Sequence, residues 1–166
     1  MTSRIIPPVV DRDATLRMLA PADLMSTLAW RNHADSRPWF HSTAAITEEQ
    51  HRAWFAGYLD RDDDYMFVLD VGGRPVAQAS LYDVAGGTAE FGRLLVDPAE
   101  RGSGLSHRAI SLCLGVADDV LGLDRVHLEV KPDNVRAIRG YEAAGFVLDD
   151  TRTGTDGSLV MERVRP

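Results

Sequence analysis

Hydrophobic and polar residues follow one another along the chain with two different spacings, and these spacings predict where helices and strands lie. Four segments carry apolar residues at helical spacing, at about 21–32, 47–59, 105–121 and 134–144. The second begins with Thr47-Glu-Glu-Gln50, which has the form of a capping box, and the fourth stops before Gly145. The sequence therefore predicts about four helices.

Strand-like runs account for most of the remaining chain. They lie at about 15–18, 65–71, 75–84, 89–96, 125–130, 146–152 and 158–164, whereas residues 1–13 are predicted to form a loose leader. The strand after the third helix must cross over and run parallel to its neighbour. We therefore expect a single α+β domain over residues 1–166, with a mixed, mostly antiparallel sheet of six to seven strands flanked by the helices.

Composition narrows the classes of function. A formal net charge of −7 argues against a general nucleic-acid binder, which needs a basic face. The single cysteine, Cys113, is predicted to be a buried core thiol, and no Cys/His pair has zinc-ligand spacing, so no metal is expected. No apolar run is long enough to cross a membrane, and a soluble cytoplasmic protein is expected. The acidic run 60–64 lacks the glycine and glutamate of an EF-hand loop and is predicted to be a solvated turn.

The segment 90–106 has the order strand, turn, glycine-containing loop and helix start. Gly102 and Gly104 allow the backbone to approach an anion, and the following helix directs its free N–H groups and positive dipole end at the same point. Arg101 adds a cation. No Lys-Ser/Thr pair follows the glycines, as a P-loop requires, and His107 stands where a dinucleotide fingerprint has its last glycine.

Two motifs in the correct order give a family resemblance. The stretch 96–106, Val-Asp-Pro-Ala-Glu-Arg-Gly-Ser-Gly-Leu-Ser, resembles motif A of the GCN5-related N-acetyltransferases (GNAT), with Ser106 in place of the last Gly/Ala. The stretch 134–146, Asn-Val-Arg-Ala-Ile-Arg-Gly-Tyr-Glu-Ala-Ala-Gly-Phe, resembles motif B with every fixed position present. The resemblance implies the GNAT fold and transfer of an acetyl group from acetyl-CoA to a primary amine of a small molecule.

The resemblance also assigns residues to the cofactor. Leu94, Leu95 and Val96 hold the strand end that offers backbone groups to the pantetheine arm, and an N–H there can face a developing oxyanion. The diphosphate would be bound by the Arg101 side chain and by the amides of Gly102, Ser103, Gly104, Leu105 and Ser106. Asn134 would contact the cofactor arm, and its position also suits a helix cap.

Proton transfer requires an acid and a base. By resemblance, Tyr141 would donate the proton to the thiolate of CoA, with packing against the sheet as the alternative. Glu90 lies eleven residues before Arg101, where the histone-acetylating branch carries its general base. Strand alternation places Glu90 on the face of Leu94 and Val96. Glu129 and a chain of water molecules are the other candidates for the base.

The acceptor site is predicted from the aromatic segment before residue 60. Trp30, Arg31, Trp39, Phe40, His51 and Trp54 would supply stacking surfaces and donors, although the aromatics could equally be core and His51 a satisfied core histidine. The segment resembles the amino-sugar N-acetyltransferases of nonulosonic-acid pathways, and related segments occur in the ribosomal-protein and antibiotic-acetylating branches. A ribosomal-type N-terminal acetyltransferase and a non-catalytic CoA-binding domain remain alternatives, and the fold allows a homodimer.

Overall fold

The computed structural model describes residues 4–166, and this part of the chain contains eight strands and four α-helices. The first half comprises β1 (Val9–Asp11), β2 (Ala14–Met18), α1 (Leu24–Asn32), α2 (Glu48–Leu59), β3 (Tyr65–Val71), β4 (Arg74–Ala85) and β5 (Thr88–Val96). The second half comprises α3 (Leu105–Gly115), β6 (Arg125–Val130), α4 (Val135–Ala143), β7 (Val147–Thr153) and β8 (Leu159–Val164).

All the strands belong to one sheet in the order β1-β2-β3-β4-β5-β6-β8-β7. Neighbours are antiparallel except β5 and β6, which are parallel. They are parallel because α3 returns the chain to the end of the sheet at which β5 begins. The α+β class and the mixed sheet are therefore confirmed, with eight strands instead of six to seven. The extra strand is β1, which pairs with β2 in the segment predicted to be a loose leader. Residues 1–3 of that leader lie outside the described residues.

The helices cover both faces of the sheet, as the alternation in β3 shows. Phe67 and Leu69 belong to the main core beneath α3 and α4, whereas Met66 and Val68 pack with α1 and α2. Cys113 on α3 is fully buried in the main core, as predicted, and burial raises the pKa of its thiol. This double burial explains why β3 reads as a continuous apolar run.

Two helix boundaries can be compared with those predicted from the sequence. Thr47 caps α2 through a hydrogen bond from the Gln50 amide, and Gln50 returns a bond to the Thr47 amide, so the predicted capping box is confirmed. The third helix was expected to continue to about residue 121. Its α-helical part ends at Gly115, and a π-helical turn follows at Val116–Val120. Among residues 4–166, no helix is long and apolar enough to cross a membrane.

Candidate active site

The two central parallel strands separate and open a cleft. β5 and β6 are paired only where Thr88, Ala89 and Glu90 face Arg125, Val126 and His127, and beyond Glu90 they diverge. A cavity of about 820 Å³ lies along this opening. It is lined by nine of the residues expected to bind the cofactor, namely Leu94, Leu95, Val96, Arg101, Gly102, Gly104, Leu105, Ser106 and Asn134. The remaining one, Ser103, is not in the lining, and its hydroxyl donates to the Glu100 carbonyl.

A β-bulge shapes the wall of the cleft that β5 provides. Gln78 of β4 faces Leu95, but Ser80 faces Gly92, so β5 has one residue more than its partner in this interval. Arg93, inside the bulge, has a φ of 54°, and its carbonyl accepts a 2.9 Å hydrogen bond from Gln78 Nε2. The register now places Leu95 on the face of Glu90. The expectation that Val96 shares this face is wrong, because the extra residue reverses the alternation.

Residues 101–106, here called the anion loop, join β5 to α3. Gly102 and Gly104 have φ values of 84° and 75°, in the left-handed region that favours glycine. Gly104 caps α3, whose first amides point toward the loop. The Arg101 guanidinium donates to Asp35 at 3.0 Å and to Ser36 at 3.1 Å, so it also touches the segment between α1 and α2. Arg136 on α4 also lines the cleft, so it is a further cation near this loop.

Tyr141 and Asn134 project from the helix that follows β6. The Tyr141 ring packs edge-on against Phe91 at 6.1 Å and Phe146 at 5.9 Å, close to the point where β5 and β6 diverge. Burial raises the pKa of Tyr141 to about 12, so its phenol keeps its proton at neutral pH. Asn134 caps α4 by accepting from the Ala137 amide and also lines the cleft. Its two predicted positions, helix cap and cleft wall, are therefore compatible.

Glu90 lies at the paired end of the cleft. Its cross-strand neighbour on β4 is Tyr82, and His127 Nε2 on β6 lies 3.9 Å from its carboxylate. Burial, together with the nearby Glu90 carboxylate, raises the pKa of Tyr82. The Glu90 side chain is mostly buried yet reaches the cavity, an arrangement that suits a proton acceptor.

Glu129 occupies the opposite wall on β6. One carboxylate oxygen accepts from the Thr155 amide at 2.9 Å, and the other lies 3.0 Å from His41 Nε2. His41 was not predicted as a site residue, although it follows Phe40 directly in the aromatic segment. No sequence pattern pairs it with Glu129, because residues 33–47, here called the acceptor loop, come from a different part of the chain.

The six residues predicted for the acceptor divide into two groups. Arg31, Trp39 and Phe40 line the cleft. Arg31 lies 4.0 Å over the Phe40 ring and donates to the Ser42 carbonyl, and its burial lowers its pKa. The other three, Trp30, His51 and Trp54, are absent from the cleft lining.

The second group belongs to the packing of α1 and α2. Trp30 is buried, and His51 Nε2 lies 3.0 Å from the Thr27 hydroxyl. Burial lowers the pKa of His51, which favours a neutral ring. Trp54 stacks between His51 and Tyr58 at ring distances of 5.5 Å. The packing of these aromatics explains their helical spacing.

The acidic run after α2 is solvated, as expected, only in its first part, where residues 60–62 are exposed. Asp64 is not solvated but 1% exposed, and both its carboxylate oxygens accept from the guanidinium of Arg93. Within residues 4–166, His, Cys, Asp and Glu side chains form no group of three that could hold a metal ion. Asp63 and Asp64 at the end of the run form ion pairs with Arg61 and Arg93.

Comparison with known proteins decides the family. A model described as the acetyltransferase (GNAT) family matches residues 25–146, which include both motifs and both walls of the cleft. The chain belongs to this family. As a member of an acetyltransferase family, the GNAT chain is an acyltransferase.

Three similar proteins illustrate the range of this family. The aminoglycoside N(6')-acetyltransferase type 1 of Klebsiella pneumoniae is 24% identical over 163 residues, covering 88% of the GNAT chain and 80% of the relative. The fold resembles the aminoglycoside acetyltransferase AAC(6')-Ib in complex with coenzyme A and kanamycin, with a TM-score of 0.79, 23% identity and coverage of 92% and 95%. It equally resembles the spermidine N-acetyltransferase of Vibrio cholerae in complex with CoA and spermine, with a TM-score of 0.79, 19% identity and coverage of 92% and 94%.

Proposed function

We propose that the GNAT chain transfers an acetyl group from acetyl-CoA to a primary amine of a small polycationic molecule, with an amino sugar of the aminoglycoside kind as first candidate. One observation carries the proposal. The cleft between β5 and β6 has the anion loop at its open end and places Glu90 and Tyr141 near its paired end. An extended arm bound between the strands therefore leads from a diphosphate site to a base and an acid.

The residues of the cleft fit the cofactor. The anion loop offers two left-handed glycines, the amides at the start of α3 and the Arg101 guanidinium, which together suit a diphosphate. Leu94 and Leu95 provide an apolar wall and backbone groups along the opening, and Asn134 faces them from α4. When bound, acetyl-CoA would supply an acetyl group activated as a thioester.

The chain's own groups would then perform three tasks. Glu90 accepts a proton from the amine, whose nitrogen forms a bond to the carbonyl carbon. Backbone N–H groups of the β5 bulge donate to the carbonyl oxygen as negative charge develops there, an effect typically worth about 3 kcal/mol. Tyr141 gives its proton to the sulfur as the C–S bond breaks. The products are an amide and free CoA.

The acceptor assignment rests on charge and on relatives. Glu90 and Glu129 place a carboxylate on each of the two strands that form the cleft, and Trp39, Phe40 and the Arg31 guanidinium line the same cleft. Such a site suits a sugar or polyamine that carries several ammonium groups. The aminoglycoside and spermidine acetyltransferases among the similar proteins favour the same class. Spermidine-like polyamines are therefore the second candidate.

The test is thiol release from acetyl-CoA by the purified protein with four separate acceptor pools. The pools are aminoglycosides, polyamines, nucleotide-linked amino sugars and peptides with free N-termini. Turnover with the first pool is expected, and turnover with peptides alone would replace the proposal by an N-terminal acetyltransferase. If acetyl-CoA binds in calorimetry but thiol is released with none of the pools, the proposal is replaced by the alternative of a CoA-binding domain without this activity.

A further inference from the structure

The acidic run after α2 ends in a carboxylate that the reaction outlined above does not use. Asp64 is 1% exposed, and its two oxygens accept from Nη1 and Nη2 of Arg93 at 2.7 and 3.0 Å. Burying a charge is unfavourable unless it is paired with good geometry, and the bidentate pair meets this condition. The pair joins the loop before β3 to the bulge of β5, 29 residues further along the chain.

Other side chains leave the Arg93 guanidinium little freedom. It lies 4.5 Å over the ring of Tyr82 and 5.4 Å from the ring of Trp54, and it also donates to the Ser80 hydroxyl at 3.3 Å. These contacts come from β4 and α2, whereas Asp64 lies in the loop between α2 and β3. The arginine is thus held from three elements, and Asp64 supplies the opposite charge.

The backbone of Arg93 is fixed as firmly as its side chain. Its φ of 54° is unfavourable for a residue with a Cβ, and its carbonyl accepts from Gln78 Nε2. A backbone in such a region persists only when its surroundings determine it. The ion pair therefore holds the side chain of the residue, and the hydrogen bond from Gln78 holds its backbone. Arg93 and the next two residues, Leu94 and Leu95, line the cleft.

We propose that Asp64 is a positioning residue for acyl transfer: through Arg93 it fixes the β5 bulge so that the backbone N–H groups beyond it face the cleft. The proposal rests on the proposed function, since its consequence for rate requires a carbonyl oxygen in the cleft. Asp64 touches no reacting atom. Its loss changes the geometry of the bulge rather than the binding of the diphosphate at the other end.

The first experiment measures the bulge itself and needs no ligand. Amide hydrogen exchange of residues 92–96 is compared in wild type, Asp64→Asn and the double variant Asp64→Asn/Arg93→Gln. Exchange in this segment is expected to accelerate by about tenfold or more in both variants. Asp118→Asn is the matched control, because Asp118 forms a similar bidentate pair with Arg163 at 2.9 and 2.7 Å outside the cleft. Unchanged exchange of residues 92–96 in both variants would overturn the proposal.

The second experiment separates positioning from stability. Asp64→Asn leaves the Arg93 charge without its partner, and the double variant removes both charges, so melting temperature should fall in the first and recover in the second. The turnover number should fall roughly tenfold to hundredfold in both, with the dissociation constant of CoA unchanged. Asp118→Asn should lose stability but keep its turnover number. Turnover that recovers together with the melting temperature would make the pair merely structural.

The two experiments also distinguish this inference from the proposed function. A wild-type protein that binds no acetyl-CoA would defeat the proposed function, while the exchange data would still decide whether Asp64 holds the bulge. Conversely, if the wild-type protein is active and Asp64→Asn changes neither the exchange of the bulge amides nor the turnover number, the inference alone is refuted.

Discussion

Among single residues, Tyr141 lies in an environment that suits a proton donor. Burial raises the pKa of its phenol to about 12, which keeps it protonated over the pH range of an ordinary assay. Tyr141→Phe removes the proton but keeps the ring contacts with Phe91 and Phe146. We expect turnover to fall at least about tenfold, or about 1.4 kcal/mol, with CoA affinity little changed, as measured by thiol release and calorimetry.

A second buried tyrosine provides the control for this variant. Tyr58 lies outside the cleft, and its hydroxyl accepts from the Met66 amide. Tyr58→Phe should lower the melting temperature and leave turnover intact. Undiminished turnover in Tyr141→Phe would remove this residue from the mechanism.

The base is a choice between two carboxylates in different surroundings. Glu90 lies where β5 and β6 diverge, whereas one oxygen of Glu129 is already bound by the Thr155 amide and the other lies beside His41. We expect Glu90→Gln to lower kcat/KM by about a hundredfold and Glu129→Gln by much less. If Glu129→Gln and His41→Ala give the larger, equal losses, the base is the Glu129–His41 pair. Equal, small losses in all three variants would favour a water chain.

How far the residues of the site could be predicted depended on where their partners lie in the chain. The resemblance of two local motifs to the family led to Tyr141, Asn134 and the anion loop, because each motif is contained in one turn and one helix. His41 and Asp64 were missed, since their partners are 88 and 29 residues away. His51 is buried and Trp54 half-buried on α2, and neither lines the cleft, so the alternative that they are packing residues is the one that the structure supports.

At the level of elements, strands bounded by turn residues were predicted most closely. β3 and β6 have the predicted limits, because apolar runs and turn residues mark both ends. β1 was missed because three residues give too short a pattern. The bulge in β5 has no signature in the sequence, since it is defined by the register with β4, and for that reason the faces of Glu90 and Val96 were wrongly equated.

The anion loop gives a prediction about one element. Gly104→Glu places an acidic side chain at the start of α3, where the diphosphate should bind, and forces a side chain into a φ of 75°. CoA affinity should weaken more than about tenfold in calorimetry, a loss of more than 1.4 kcal/mol.

Another glycine isolates the effect of the charge from that of the backbone. Gly122 has a φ of 62°, is equally open to a side chain and lies outside the cleft. Gly122→Glu should therefore introduce similar backbone strain without weakening the binding of CoA. Equal affinities for Gly104→Glu and wild type would mean that the diphosphate binds elsewhere.

For the molecule as a whole, the net charge of −7 should act on a polycationic acceptor over a distance. The Debye length falls from about 30 Å at 0.01 M salt to about 10 Å at 0.1 M, so most of the surface charge is screened at the higher concentration. We expect KM for an aminoglycoside or polyamine to rise several-fold over this range while kcat stays constant. A neutral monoamine of similar reactivity at the assay pH serves as control, and an equal rise in its KM would rule out long-range attraction.

The position of Arg101 links the two ends of the cleft. Its guanidinium N–H groups donate to Asp35 and Ser36 of the acceptor loop and are also those that a diphosphate would attract. Cofactor and acceptor then belong to one thermodynamic cycle, in which each must alter the affinity of the other by the same factor. Because the diphosphate would draw Arg101 away and free the acceptor loop to adapt, the two substrates should add in a preferred order, with acetyl-CoA first.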